Sequence, residues 1–172
     1  MHAENTEVHT ERLLLRPLWE SDRAAVVALH VDPATNRFNH DPPDETTMHA
    51  RFDRWLDVWA ESGIGYWAVV EPSSGELLGL GGVQPLDEAG ERVLNLAYRF
   101  TPGAWGRGYA RETARAALEW ARRVSPDTPV QAVVRDTNLP SMRVAQRCGL
   151  TEFRRRTKEG IHEVLFRLPA GR

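Results

Sequence analysis

A short segment with two glycines and two arginines stands directly before an alanine-rich run, and its residue types suit the binding of an anion. The segment reads GRGYAR and spans residues 106–111. Gly106 and Gly108 carry no Cβ, so a ligand can approach their backbone closely. The first N–H groups of a helix have no partner within it, and the helix dipole adds partial positive charge there. These features favour a phosphate site at a helix start. A plain turn before a surface helix fits the same six residues.

Neither of the two common phosphate-binding motifs is present here. Arg111 stands where the dinucleotide fingerprint has its third glycine, and no Gly-Lys-Ser/Thr triplet follows the turn. Arg107, Arg111 and Arg115 are spaced by four residues, which places them on one face of a helix. An anion bound at this segment would therefore use backbone N–H groups and arginines without a nucleotide-binding motif.

A second polar motif, RDTNLPSMRVAQRCGL, lies further along the chain at residues 135–150. Asn138 is followed three residues later by Ser141, then by a short amphipathic run that Gly149 can end. The pair Asn138 and Ser141 thus supplies a second set of hydrogen-bonding groups, which follows the predicted strand that ends near residue 136. Together with the glycine segment it forms a pattern that is more specific than either part.

The two motifs together resemble the acyl-CoA-binding core of the GNAT superfamily of N-acetyltransferases. The stretches TERLLLRPL, LAYRFTPGAWGRGYARE and NLPSMRVAQRCGL are similar to the RimJ/RimL branch of that superfamily. The resemblance covers about residues 10–168. It implies that the chain binds acetyl-CoA as an acyl donor and needs no metal.

The resemblance also implies which residues bind the donor. Backbone amides of residues 106–111 would hold the pyrophosphate, with Arg107 and Arg111 adding charge. The end of the preceding strand would pair with the pantetheine arm, and Asn138 would hydrogen-bond to the donor. Arg147 either reaches the 3′-phosphate or belongs to a solvated face. The expected binding residues are Tyr98, Arg99, Phe100, Gly106, Arg107, Gly108, Tyr109, Ala110, Arg111, Asn138, Ser141 and Arg147.

The catalytic positions depart from the family pattern. Asn95 stands where relatives often carry a glutamate base, so it either orients a water or is a structural amide. Ala145 stands where the family often has a tyrosine acid for the leaving thiolate. Ser141 is then the best candidate to hydrogen-bond to the sulfur, the alternative being a helix-start cap formed with Asn138. The candidate catalytic residues are Ser141 and Asn95.

These residues indicate an N-acyltransferase that transfers an acyl group directly to a primary amine. An α-amine titrates near ~8 and a lysine amine near ~10.4, so an α-amine needs less help from a base. The branch resemblance suggests a protein N-terminal α-amine, while a small amine or an antibiotic is an alternative. A CoA-binding module without catalysis is a further alternative. A nucleic-acid binder is disfavoured by the net charge of −2.

The elements that must position these residues follow from periodicity and turn signals. The order is strand, helix, helix, three strands, helix, strand, helix and two strands. This order predicts an α/β (α+β) fold with a mixed, twisted sheet of about seven strands and about four helices. The unit over residues 92–136 should be a parallel strand–helix–strand crossover. We expect one domain over residues 1–172.

Composition limits the surroundings in which the chain works. No apolar run approaches the ~20 residues of a membrane span, and the polar amino terminus is not a signal peptide. One cysteine excludes an internal disulfide framework and fits a reducing cytoplasm. The six histidines show no metal-ligand spacing. We therefore expect a cytoplasmic protein without membrane or nucleic-acid partners, and a homodimer is compatible with the family resemblance.

Overall fold

Eight strands form one mixed sheet in the computed structural model, which describes residues 6–171. The first five residues of the polar amino terminus lie outside this range. The strand order is β1-β2-β3-β4-β5-β6-β8-β7. The strands are β1 (Val8–His9), β2 (Leu14–Pro17), β3 (Tyr66–Val70), β4 (Leu77–Glu88), β5 (Glu91–Phe100), β6 (Val130–Arg135), β7 (Thr151–Lys158) and β8 (Ile161–Leu168).

The sheet confirms the predicted mixed fold and corrects the predicted number of strands from seven to eight. The additional strand is β1, whose two residues pair antiparallel with Leu14 and Leu15 of β2. Two residues are too few to show the alternation of apolar and polar side chains by which a strand is recognised. The position of β1 is set by its pairing partner and not by its own sequence.

Between residues 6 and 171 four α-helices flank the sheet, as predicted: α1 (Arg23–Val31), α2 (Glu45–Ser62), α3 (Tyr109–Val124) and α4 (Leu139–Arg147). A short 3-10 turn, Glu20–Asp22, precedes α1. The Asp44 side chain caps α2 by accepting a hydrogen bond from the Thr47 backbone N–H. Gly63, at a φ of 67°, ends α2 in the left-handed conformation that suits glycine.

The helices pack on both faces of the sheet and form two apolar cores. One core contains Trp67, Leu94 and Trp120 and buries the inner faces of α3 and α4. The other contains Phe52 and Ala68 and buries α1 and α2. At Gly81 on β4, an added Cβ would lie only 2.8 Å from Thr113 Cγ2 of α3. Glycine at this position therefore lets α3 lie close to the sheet.

The parallel strands β5 and β6 pair over only two residues before they separate. Leu94 pairs with Val130 and Asn95 with Gln131, which confirms the predicted parallel crossover. Beyond that point β5 stays paired with β4 as far as Phe100, and β6 stays paired with β8. The edges of β5 and β6 that face each other are left unpaired, and we call the opening between them the wedge.

Two further findings concern the described part of the chain. None of the helices between residues 6 and 171 combines the length and the apolar character that crossing a membrane requires. Over the same residues, no three histidine, cysteine, aspartate or glutamate side chains lie together as a metal-binding group.

His30 is a buried histidine that packs inside the second core. It is only 6% exposed, its Nδ1 lies 2.9 Å from the Val26 carbonyl oxygen, and its ring centroid lies 5.3 Å from that of Trp55. Burial lowers the pKa of His30 to about 4, and the positive charge of Arg99 acts in the same direction. The folded protein therefore keeps His30 neutral at a pH where the unfolded chain protonates it.

This burial predicts a loss of stability in mild acid. The folded pKa lies below the unfolded value, so the unfolded state binds more protons as the pH falls from about 6.5 towards 4. Between pH 7 and pH 5, His30 should remove about 2 kcal/mol from the free energy of unfolding. Chemical denaturation of the wild type and of His30→Gln at both pH values measures this. Equal pH dependence in the two proteins would contradict it.

Candidate functional site

Two cavities meet at the wedge between β5 and β6. The first, of about 560 Å³, lies between the start of α3, the start of α4 and the end of β5, and we call it the α3 cavity. The second, of about 700 Å³, lies between the wedge and residues 35–51, and we call it the loop cavity. The residues that line both are Thr35, Phe38, Tyr98, Arg99, Asn138 and Ser141.

Nearly all of the predicted donor-binding residues line the α3 cavity. Arg107 is the exception, because its side chain lies outside the lining while its carbonyl oxygen accepts a hydrogen bond from Arg12 Nη1 at 2.8 Å. Their roles in binding stay predictions. The predicted residues in the lining are Tyr98, Arg99, Phe100, Gly106, Gly108, Tyr109, Ala110, Arg111, Asn138, Ser141 and Arg147.

The turn before α3 has a backbone conformation that favours glycine at two positions. Gly106 has a φ of 76° and Gly108 a φ of 78°, both in the left-handed region. A Cβ built on Gly106 would meet no atom within 4 Å, so the space beside it is open. Gly108 is the N-cap of α3, and the free N–H groups of the helix follow it. The turn therefore offers open space beside a helix start, as an anion site requires.

Glu112 and Arg12 hold this turn in place. Glu112 accepts hydrogen bonds from Thr10 Oγ1 at 2.7 Å, from the Arg12 backbone N at 2.9 Å and from Arg12 Nε at 2.8 Å. The Arg12 guanidinium also lies 4.5 Å from the centre of the Tyr109 ring. Burial raises the pKa of Glu112, but the hydrogen bonds from Thr10 and Arg12 outweigh it and the pKa is lowered. Glu112 is thus a charged structural group.

Exposed arginines surround the α3 cavity. Arg111, Arg143 and Arg147 line it, and none of them forms an ion pair with a residue in the described range 6–171. At the cavity wall, the Arg37 guanidinium lies 4.6 Å from the centre of the Trp105 ring. Arg37 is not among the residues that the sequence motifs indicate. Its loop lies about 70 residues before the glycine turn, and no local pattern connects the two.

Tyr98 and Ser141 form a hydrogen-bonded pair where the two cavities meet. Tyr98 Oη donates to the Ser141 carbonyl oxygen at 2.7 Å, and Ser141 Oγ donates to Tyr98 Oη at 3.2 Å. The Asn138 side chain accepts a hydrogen bond from the Ser141 backbone N at 3.2 Å and so caps α4. Burial raises the pKa of Tyr98 to about 12, although its hydrogen bond with Ser141 acts against this. The phenol therefore stays protonated at neutral pH.

The hydroxyl group of Tyr98 is a functional candidate that the sequence analysis missed. That analysis assigned Tyr98 to backbone pairing and sought an acid only on α4, at Ala145, which is buried. The alternation of side chains along β5 could have indicated that the Tyr98 side chain faces α4. Leu96 and Tyr98 lie on the same face of the strand, and Leu96 belongs to the core beneath α3 and α4.

Asn95 is held by a buried tyrosine. Its Nδ2 donates to Tyr66 Oη at 2.7 Å, while its Oδ1 makes no hydrogen bond with residues 6–171. Burial raises the pKa of Tyr66 to about 12, against the effect of the hydrogen bond from Asn95. Asn95 also lines the loop cavity. The arrangement is compatible with a structural amide whose oxygen remains available beside that cavity.

Comparison with known proteins relates the chain to one family. A model described as the acetyltransferase (GNAT) domain matches residues 12–151. The chain is 27% identical over 151 residues to YkkB, an uncharacterized protein of Bacillus subtilis, covering 84% of this chain and 85% of YkkB.

Two further similarities concern proteins with named activities. The chain is 27% identical over 153 residues to the FsC-acetyl coenzyme A-N(2)-transacetylase of Aspergillus fumigatus, covering 84% of this chain and 64% of that longer protein. The crystal structure of an acetyltransferase from Agrobacterium tumefaciens superposes with a TM-score of 0.83 at 26% identity. That superposition covers 98% of this chain and 96% of the other.

Proposed function

This chain belongs to the GNAT acetyltransferase family, and on that premise we propose that it transfers an acetyl group from acetyl-CoA directly to the α-amine of its acceptor. The observation that carries the proposal is the meeting of the two cavities at Tyr98 and Ser141. The α3 cavity has the glycine turn, a helix start and arginines for a donor rich in phosphate. The loop cavity gives an amine access to the same point from the other side.

The unpaired edge of β5 supports the placement of the donor. Beyond Asn95 this edge faces the wedge and not β6, so its backbone groups can pair with an extended amide chain such as pantetheine. A free backbone N–H between Leu96 and Tyr98 would then lie beside the thioester carbonyl oxygen. Such a donor stabilises the negative charge that develops on this oxygen during acyl transfer.

Transfer forms a C–N bond, breaks the thioester C–S bond and releases a thiolate, while the amine loses one proton to water. The Ser141 and Tyr98 hydroxyl groups lie where the two cavities meet, and a hydroxyl that turns its proton away from its present acceptor would hydrogen-bond to the departing sulfur. A phenol whose pKa is raised to about 12 holds its proton more tightly than a free thiol does, so full proton transfer to the thiolate would be uphill. The pair therefore acts by hydrogen bonding, and water completes the protonation.

The choice of an α-amine rests on the groups near the acceptor. Asn95 replaces the usual carboxylate base, and its Nδ2 is engaged by Tyr66. An α-amine with a pKa near ~8 is partly neutral at physiological pH and needs no strong base, unlike a lysine amine near ~10.4. The motif resemblance to the RimJ/RimL branch supports the same choice, since a protein N-terminus carries such an amine.

One pair of substitutions tests the donor site at the glycine turn. Gly106 and Gly90 both have positive φ, 76° and 83°, and a Cβ at either position would meet no atom within 4 Å. Substitution by alanine at either position should therefore lower the free energy of unfolding by about 1–2 kcal/mol. Only Gly106→Ala adds an atom beside the α3 cavity, so only this variant should lose affinity for acetyl-CoA. Calorimetric titration measures it, and unchanged affinity in Gly106→Ala would contradict the assignment.

A second prediction concerns the leaving thiolate. Hydrogen bonds to charged groups contribute about 1.5–3 kcal/mol, so Ser141→Ala and Tyr98→Phe should each lower kcat by about tenfold to a hundredfold. Acetyl-CoA affinity should change much less, because both groups act on the charge that forms during transfer. Steady-state kinetics with direct titration of acetyl-CoA separates the two effects. An unchanged kcat in both variants would limit the two hydroxyl groups to a structural contact between β5 and α4.

The whole proposal is tested by a thermal-shift comparison of acetyl-CoA, NAD and ATP, followed by mass spectrometry of products from a panel of amines. A ligand that binds the native state raises its melting temperature. Stabilisation by acetyl-CoA alone and formation of an amide are expected. Stabilisation without any acetylated product would favour the alternative of a CoA-binding module, and no stabilisation by acetyl-CoA would overturn the proposal.

A further inference from the structure

Three arginines from three different elements line the loop cavity. Arg51 lies on α2, Arg99 on β5 and Arg135 at the end of β6. They are separated by up to 84 positions in the chain, and only the fold brings them to one cavity. Arg51 and Arg135 line the loop cavity without lining the α3 cavity, so they are placed for a ligand on the acceptor side.

The hydrogen bonds of these arginines go to neutral oxygens. Arg99 Nη1 donates to the Thr35 carbonyl oxygen at 2.9 Å and to Asn36 Oδ1 at 3.3 Å. Arg135 Nη2 donates to Asn39 Oδ1 at 2.9 Å. Within residues 6–171 none of the three arginines pairs with a carboxylate, and Arg99 and Arg135 keep further N–H groups without a protein acceptor. These groups remain available for a ligand.

Their mutual electrostatics are unfavourable without an anion. Arg99 is half-buried, and burial lowers its pKa, with the positive charges of Arg51 and Arg135 acting in the same direction. Like charges close together repel, and the repulsion is stronger where water is partly excluded. A bound carboxylate would offset both the repulsion and the loss of hydration, because guanidinium and carboxylate form strong paired hydrogen bonds.

The two carboxylates that line the same cavity do not neutralise this charge. The Asp44 side chain accepts a hydrogen bond from the Thr47 backbone N–H at 2.7 Å and thereby caps the start of α2. Asp41 is exposed to solvent and makes no ion pair within the described residues. Arg99 and Arg135 are half-buried, whereas Arg51 is exposed like Asp41 and Asp44, so the half-buried part of the cavity is positive.

We propose that the acceptor is a small amino acid-like molecule, with an anionic carboxylate beside its α-amine, and that Arg51, Arg99 and Arg135 bind this carboxylate. This inference rests on the proposed function and specifies its substrate class. The carboxylate held by the arginines would leave the amine directed towards Tyr98 and Ser141, which line the same cavity. A volume of about 700 Å³ is more than a molecule of this size needs, so the cavity can admit it.

The test compares each amino acid with its carboxamide, which lacks the negative charge. Because the carboxylate also raises the pKa of the neighbouring amine, kcat/KM is expressed per neutral amine for both acceptors. The purified protein is incubated with acetyl-CoA and each of the twenty amino acids, and in parallel reactions with their carboxamides. Products are identified by mass spectrometry. A charge-assisted pair changes affinity by about tenfold to a hundredfold. At least one amino acid should therefore exceed its own carboxamide in kcat/KM by tenfold or more. Equal rates for the acids and their amides would overturn the proposal.

Arginine variants locate the effect. Arg51→Gln and Arg135→Gln should each reduce the preference for the acid over the amide, without changing acetyl-CoA affinity. Arg54→Gln is the matched control, because Arg54 lies on α2 near Arg51 but pairs with Glu61 and does not line the cavity. An acid preference that persists in both cavity variants, or that is equally lost in Arg54→Gln, would contradict the assignment.

Two further measurements distinguish a failure of the carboxylate site from a failure of the proposed acetyl transfer. The stabilisation of the CoA-loaded protein by each amino acid and its carboxamide is measured by thermal shift, so that binding is tested even if no transfer occurs. Stabilisation by acids alone, lost in Arg135→Gln, would support the carboxylate site although transfer failed. No stabilisation and no product would overturn it. Arg135-dependent transfer of a succinyl group from succinyl-CoA to a carboxamide would show that the arginines bind a carboxylate of the donor. That result would also overturn the proposal.

Discussion

The separation of β5 from β6 after two paired residues is the constraint on which the site depends. Both strands keep their other neighbours, so the sheet remains continuous on either side while one edge of each strand is left open. Unpaired backbone groups inside a protein require a partner. Both cavities are lined by β5 residues beside this opening, and Tyr98 there bonds to the first turn of α4 in place of a neighbouring strand.

The wedge can form part of a binding site only if the glycine turn before α3 is held beside it. Glu112 binds the chain between β1 and β2 through Thr10 and Arg12, and Arg12 also binds the turn itself at the Arg107 carbonyl. A carboxylate in the first turn of a helix is favoured by the helix dipole. The charge on Glu112 thus stabilises the start of α3 and leaves the backbone N–H groups of the turn for a ligand.

The arginines of the chain divide into those that build the fold and those that the fold leaves free. Arg16 makes two hydrogen bonds to Asp22 at 2.8 and 2.9 Å, with both side chains buried, and Arg156 pairs with Glu163. Buried charges require such partners. Arg99 and Arg135 are half-buried without a carboxylate partner among residues 6–171, although desolvation makes this costly. This contrast, and not the number of arginines, is the basis of the proposed anionic ligand.

The sequence by itself determined the order of the helices and of every strand except β1, because periodicity, the Asp44 cap and the turn glycines act over a few residues. It also indicated the turn at Gly106 and Gly108 and the pair Asn138 and Ser141, since each of these motifs is local. It did not determine β1, the Tyr98 hydroxyl group or the three arginines of the loop cavity. The two residues of β1 form a strand only because they pair with β2. The Tyr98 hydroxyl group becomes a candidate only because the fold places it against α4. Arg51, Arg99 and Arg135 share a cavity only because packing joins distant segments, and their repulsion exists only at the distances that the tertiary structure sets.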